Sequence, residues 1–274
     1  MSQRRNFSDI NSVTYAISLR KEIIKRHLKD LLGKEHFAKQ QKGEALPEVL
    51  YHYESGLIKR GPGIDPTLQE NKAKNISLAC ESLHGLMIHP GESFSFWKRV
   101  GNTTKRKGYL DGRVIEGGVL RPGIGGGLCN LANTVHLLVL HSPLDITEVH
   151  YHSDALAPDH GPHQPFATGT SVSYNNVDYR FQNNTDQDMQ LLLWCEDEKL
   201  KGEIRCVRPI PMQYRLVEEN HHFQKEGEKY YRVSKIYRET IDVATGELVE
   251  KKLFRDNHSE VMYDPALIPV ELIR

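Results

Sequence analysis

The sequence predicts an α+β protein: a helical N-terminal arm, a central mixed α/β core around a buried cysteine-bearing helix, and an antiparallel, β-rich C-terminal part. Three observations predict it. Apolar residues between Ser12 and Leu32 recur at helical spacing. Residues 129–141 form an apolar run that opens on a cysteine one residue after three consecutive glycines. From Thr170 onward the pattern is mostly period-two alternation broken by turn residues. On this reading residues 1–66 are a basic helical arm and linker, 67–182 the core, and 183–274 the β-rich section, separate from the core or continuous with it.

In the first helix Val13, Ile17, Ile24, Leu28 and Leu31 share one stripe, Arg20, Lys21, Lys25 and Lys29 lie largely on other faces, and Gly33 is a stop signal. Residues 34–66 are polar and broken by Pro and Gly, a loop with a short strand or helix near Val49, Leu50 and Tyr51. A second helix is expected from about Leu68 to Leu83, with Ile76, Ala79, Cys80 and Leu83 inward and Gly85 as its cap. Leu86–Ile88 reads as a short strand before a turn at His89–Glu92, and 101–127 is glycine-rich with one strand at Arg113–Ile115. The apolar helix Cys129–His141 has almost no polar face, which marks it as buried; a strand is expected over Ile146–His152. Val172 and Tyr174, then Val177, Tyr179 and Phe181, alternate around a bulge at Asn175–Asn176. Two hairpins follow, Met189–Cys195 with Glu203–Val207, and Tyr230–Val243 with Leu248–Phe254; in the first, Cys195 and Cys206 are candidate cross-strand neighbours.

Composition excludes several classes. The 274 residues carry 36 Lys and Arg against 36 Asp and Glu, and no apolar run approaches the ~18 residues of a membrane span. The N-terminus is basic but lacks an apolar core, and four cysteines are too few for a disulfide scaffold, so a soluble, reduced, cytoplasmic protein is expected. The neutral total hides a split: residues 1–43 hold ten basic against four acidic residues, a net of +6, balanced by −2 over 44–182 and −4 over 183–274. No zinc-finger, RRM or helix-turn-helix signature accompanies the basic arm, so no nucleic-acid partner is expected.

Chemistry concentrates in Gly123-Ile-Gly125-Gly126-Gly127-Leu128-Cys129-Asn130. Three consecutive glycines before a buried helix imply unusual backbone dihedrals or a close approach by a ligand. Cys129 falls in the first helical turn, where the dipole and unsatisfied N–H groups favour a thiolate, and the same amides suit a developing oxyanion. The phosphate-loop pattern fails at Gly127-Leu128-Cys129, and the dinucleotide pattern fails because no strand with an acidic residue follows at the right distance. His136 is two turns along the helix, about 10 Å from Cys129 and too far to serve it. His150 and His152, on the returning strand, are the candidate bases, with Glu148 or Asp154 to orient them. The same histidines, with His160 and His163, offer an alternative zinc site; otherwise no cofactor is expected.

Pro90-Gly-Glu-Ser-Phe-Ser-Phe-Trp97, Tyr109, Gly125-Gly-Gly-Leu-Cys129, His141-Ser-Pro-Leu144 and Asn183-Asn-Thr-Asp186, in this order, resemble the VanW family over roughly Gln69 to Val261, in its short branch without a membrane anchor. The resemblance implies a role in glycopeptide resistance or cell-wall metabolism, with peptidoglycan stem peptides or their precursors as partner. It implies acyl transfer of L,D-transpeptidase or amidase type through Cys129, with His152 as base, His150 as its alternate, and Gly125, Gly126, Gly127, Leu128 and Asn130 around the oxyanion. Two positions depart from the family pattern: Asn130 stands where glutamine is usual, and Gly169 where many anchored relatives have an aspartate. A non-catalytic binding module for a cell-wall precursor or a partner protein is the rival reading, and a zinc hydrolase using His150 and His152 the third.

Overall fold

Asn11 opens the first helix: its side chain accepts from the Val13 and Thr14 amides, and Thr14 Oγ1 accepts from the Asn11 amide, a closed capping box. The computed structural model describes residues 11–61, 64–116, 119–155, 158 and 169–274. Helix α1 spans Ser12–Leu32, as its periodicity predicts. Its orientation is unusual, because the apolar stripe faces solvent while Arg26 and Asp30 face the body. Asp30 meets the buried Arg180 at 2.8 and 2.9 Å, and Arg26 meets Glu148 at 2.5 and 2.7 Å. Arg180 also holds the fully buried Asp178 at 2.7 Å, so these charges satisfy one another out of water.

The central sheet runs in the order β1-β10-β9-β2, with β1 Glu48–Gly56, β2 Leu86–Ile88, β9 Met189–Glu196 and β10 Lys199–Cys206. It therefore draws strands from all three sequence sections. Strand β1 is a full nine residues, longer than the expected element near Val49, because β10 supplies its hydrogen-bond partners along its whole length. The β9–β10 turn is two residues long, Asp197 and Glu198, both at positive φ (52° and 56°). That is the twist a tight hairpin demands, met here without glycine. Cys195 consequently pairs with Leu200 and Cys206 with Met189, at opposite ends of the ladder, so the two cysteines are not neighbours; Cys195 meets the thiol of Cys80 instead.

Helix α2 spans Pro66–Leu83, capped by Asp65 with proline in its first turn, and buries Ile76, Ala79, Cys80 and Leu83 as expected. Helix α4 spans Leu128–Leu140 and lies against β10 so closely that a Cβ on Gly202 would stand 2.9 Å from Leu138 Cδ1. A three-stranded sheet, β3-β8-β6, joins Ser93–Ser95, Arg180–Gln182 and Asp145–Glu148, and the short helix α3, Phe96–Val100, follows β3. Residues 101–127 hold a hairpin, β4 Asp111–Glu116 with β5 Val119–Ile124, where a single strand was expected. The C-terminal sheet orders β11 Met212–Glu226, β12 Lys229–Asp242, β13 Leu248–Val261 and the two-residue β7, Asp154–Ala155. Among the described residues, no helix is long and apolar enough to cross a membrane.

Candidate functional site

The glycine loop is shaped by its own chain. Gly125 and Gly127 lie at φ 77° and 106°, a region L-residues rarely adopt. A Cβ on Gly126 would fall 2.2 Å from the Gly112 carbonyl carbon in β4, and one on Gly127 would meet Lys72 Cγ at 2.4 Å. The buried Asn75 of α2 clamps the arrangement: its amide donates to the Gly126 and Leu110 carbonyls at 2.9 and 3.0 Å, and its oxygen accepts from the Leu110 amide. Lys72 passes beneath the loop, and burial pushes its ammonium down to about 8. The glycines thus permit backbone-to-backbone packing that starts α4 at Leu128 and sets Cys129 in its first turn.

Cys129 lines a cleft of about 520 Å³ whose walls also carry Trp97, Arg113, Tyr151, His152, Asp154 and Tyr174. Its thiol donates to the Val172 carbonyl at 3.7 Å. Burial pushes the thiol above its ordinary pKa, against the expectation of a depressed one: desolvation of a thiolate is the largest cause and outweighs the backbone hydrogen bonds around the sulfur. His152 lies below the usual histidine range because of burial, with Asp154 drawing it up and Arg255 pushing it down, so its imidazole is neutral near pH 7.

Regular strand ends at Glu148, short of the expected His152, and the two histidines take separate environments. His150 is not on the cleft wall; its Nε2 lies 3.0 Å from Glu148 Oε1, a carboxylate already held by Arg26. His152 reaches the cleft while its backbone N–H donates to the Gly169 carbonyl at 3.2 Å. Gly169 therefore faces the His152 backbone, and the acid on the cleft wall with His152 is Asp154.

Of the amides assigned to the oxyanion, those of Gly125, Gly126 and Asn130 already donate to the Leu110, Gly123 and Gly127 carbonyls. Asn130 does not line the cleft, and its side-chain oxygen is buried without a partner among the described residues. The first-turn amides of Leu128 and Cys129 have no preceding helical carbonyl to bond. For metal, no group of three or more His, Cys, Asp or Glu among the described residues is placed to hold an ion, and His160 and His163 lie outside the described residues.

Sequence reasoning missed a buried layer behind the cleft. His136 bridges Tyr179 Oη at 3.2 Å and Tyr151 Oη at 3.3 Å, and burial pushes it down to about 3, so it stays neutral. The Arg255 guanidinium stacks over the Tyr151 ring at 4.1 Å and donates to the His152 carbonyl at 3.4 Å. Nothing in sequence spacing links Arg255 to His152, 103 residues away.

A model of the VanW-like protein family matches residues 71–205. Over 220 residues the chain is 30% identical to the vancomycin B-type resistance protein VanW of Enterococcus faecalis (strain ATCC 700802 / V583), covering 80% of each chain. Over 140 residues it is 32% identical to the uncharacterized protein YoaR of Bacillus subtilis (strain 168), covering 51% of this chain and 45% of that one. No solved structure matches the chain.

Proposed function

The chain belongs to the VanW family, and from that premise we propose that it is a cysteine-dependent acyl transferase of transpeptidase or amidase type, acting on peptidoglycan stem peptides or their precursors in a glycopeptide-resistance or cell-wall setting. The observation that carries the reading is the cleft that has Cys129, His152 and Asp154 on one wall system. The neutral His152 takes the thiol proton as sulfur bonds to the substrate carbonyl carbon. The Leu128 and Cys129 amides receive the oxyanion, and the imidazolium returns the proton to the departing amine. An acceptor amine, or water, then attacks the thioester and frees the thiol. Asp154 stabilises the imidazolium, and Arg113 is a cation on the wall suited to a stem-peptide carboxylate. The resting thiol donates to the Val172 carbonyl, and burial favours its protonated form, which is the state that hands a proton to His152.

One observation favours a second reading, a non-catalytic binding module: the same raised thiol, with glycine at position 169. Intact-mass analysis of the full chain after incubation with muropeptides or lipid-linked precursor separates the two. Acyl transfer requires an adduct that maps to Cys129 and is absent from Cys129→Ala. Bound ligand with no adduct, and Cys129→Ala binding as well as the wild type, selects the binding module.

A further inference from the structure

An amphipathic helix ordinarily turns its apolar stripe to the core; α1 does the reverse. Val13, Ile17, Ile24, Leu28 and Leu31 are 64, 51, 57, 51 and 79% exposed. At 100° per residue they fill an arc of roughly 60°, centred about 120° round the axis from Asp30. Arg20 borders this arc on one side, and Lys21 and Lys25 on the other. Lys25 is shared with the exposed Glu22; among the described residues Arg20, Lys21 and Lys29 have no carboxylate within ion-pair distance. The helix is not loosely held, because Arg26–Glu148 and Asp30–Arg180 fix the inward side by paired hydrogen bonds and so fix the stripe outward.

We infer that α1 is an interfacial helix that lays the protein on an anionic lipid surface, its stripe entering the boundary of headgroups and acyl chains and its basic flanks meeting the phosphates. Charge selects this occupant. Two copies joined through the stripe would set like-charged flanks against each other, and five side chains offer far less than the roughly 800 Å² per partner of a stable dimer. An anionic surface uses both the apolar arc and its basic borders.

Sedimentation of the full chain with vesicles tests the inference. Binding is expected to phosphatidylglycerol–phosphatidylcholine vesicles, weakening as salt rises, with little to phosphatidylcholine alone. Ile24→Asp with Leu28→Asp, and separately Lys21→Glu with Lys25→Glu, should each weaken it by about tenfold or more. Unchanged near-ultraviolet circular dichroism shows that a variant is folded, and Ile17→Asp is the alternative where it is not. Absence of binding to the anionic vesicles, binding unaltered by the apolar variant, or a dimer that the apolar variant converts to monomer would each overturn it.

Discussion

Cys129 is pulled two ways. Its place in the first turn of α4 favours a thiolate, and its burial favours the thiol; desolvation is the larger effect. Cys195, of the same intermediate surface exposure, contrasts through its partner: the Cys80 thiol donates to it and draws its pKa down. Alkylation by iodoacetamide across pH, with each site mapped by mass spectrometry, should label Cys195 first. Cys129 should reach half its maximal rate above the ~8.5 of a free thiol. Labelling of Cys129 ahead of Cys195, or at lower pH than free cysteine, would contradict the dominance of burial. This residue also marks a limit of sequence reading. The glycines and the helix start locate Cys129, but its pKa depends on what covers it, and the segment carrying Val172 is 43 residues away.

Among the elements, the helices were legible and several strands were not. Helices α1 and α2 announce themselves through apolar spacing and a glycine at the end, and α4 through an unbroken apolar run, all of them local properties. Strands β1, β4–β5 and β11 are defined by partners, and β11 reads as polar because so much of it is exposed. The pairing of His150 and His152 on one returning strand misled for a related reason: it presumes a strand that continues past Glu148. The glycine run was legible as a demand on the backbone, and its own chain makes that demand, through Thr103 at Gly125, β4 at Gly126 and Lys72 at Gly127. Gly126→Ala should therefore act on an element. Its Cβ has no place beside Gly112, so the β4–β5 hairpin must shift, costing about 2–4 kcal/mol in a denaturant melt. Gly43→Ala, where a Cβ meets nothing within 4 Å, is the matched control and should be within about 0.5 kcal/mol of wild type. Equal losses at both positions would reject the packing account.

At the scale of the whole molecule, the C-terminal sheet reaches back into the cleft. Strand β13 places Phe254 against His136 and Arg255 over Tyr151, while its far end pairs in parallel with β7, which begins at Asp154. The β-rich section therefore bears on the electrostatics of His152, although the family model ends at residue 205. The sign of the effect can be worked out. A nearby positive charge disfavours the imidazolium, so Arg255→Met should raise the His152 pKa toward the ordinary value of about 6.5. A nearby carboxylate favours the imidazolium, so Asp154→Asn should lower it further. Arg255→Lys keeps the charge and should leave the pKa near that of wild type while losing the guanidinium contact over Tyr151. Titration of the His152 ring protons by NMR in the three variants reads these outcomes directly: up for Arg255→Met, down for Asp154→Asn and near wild type for Arg255→Lys. If Met and Lys at position 255 shift His152 alike, then packing rather than charge connects the sheet to the cleft. If neither Arg255→Met nor Asp154→Asn moves it, His152 is governed by burial alone, and the C-terminal sheet only covers the site.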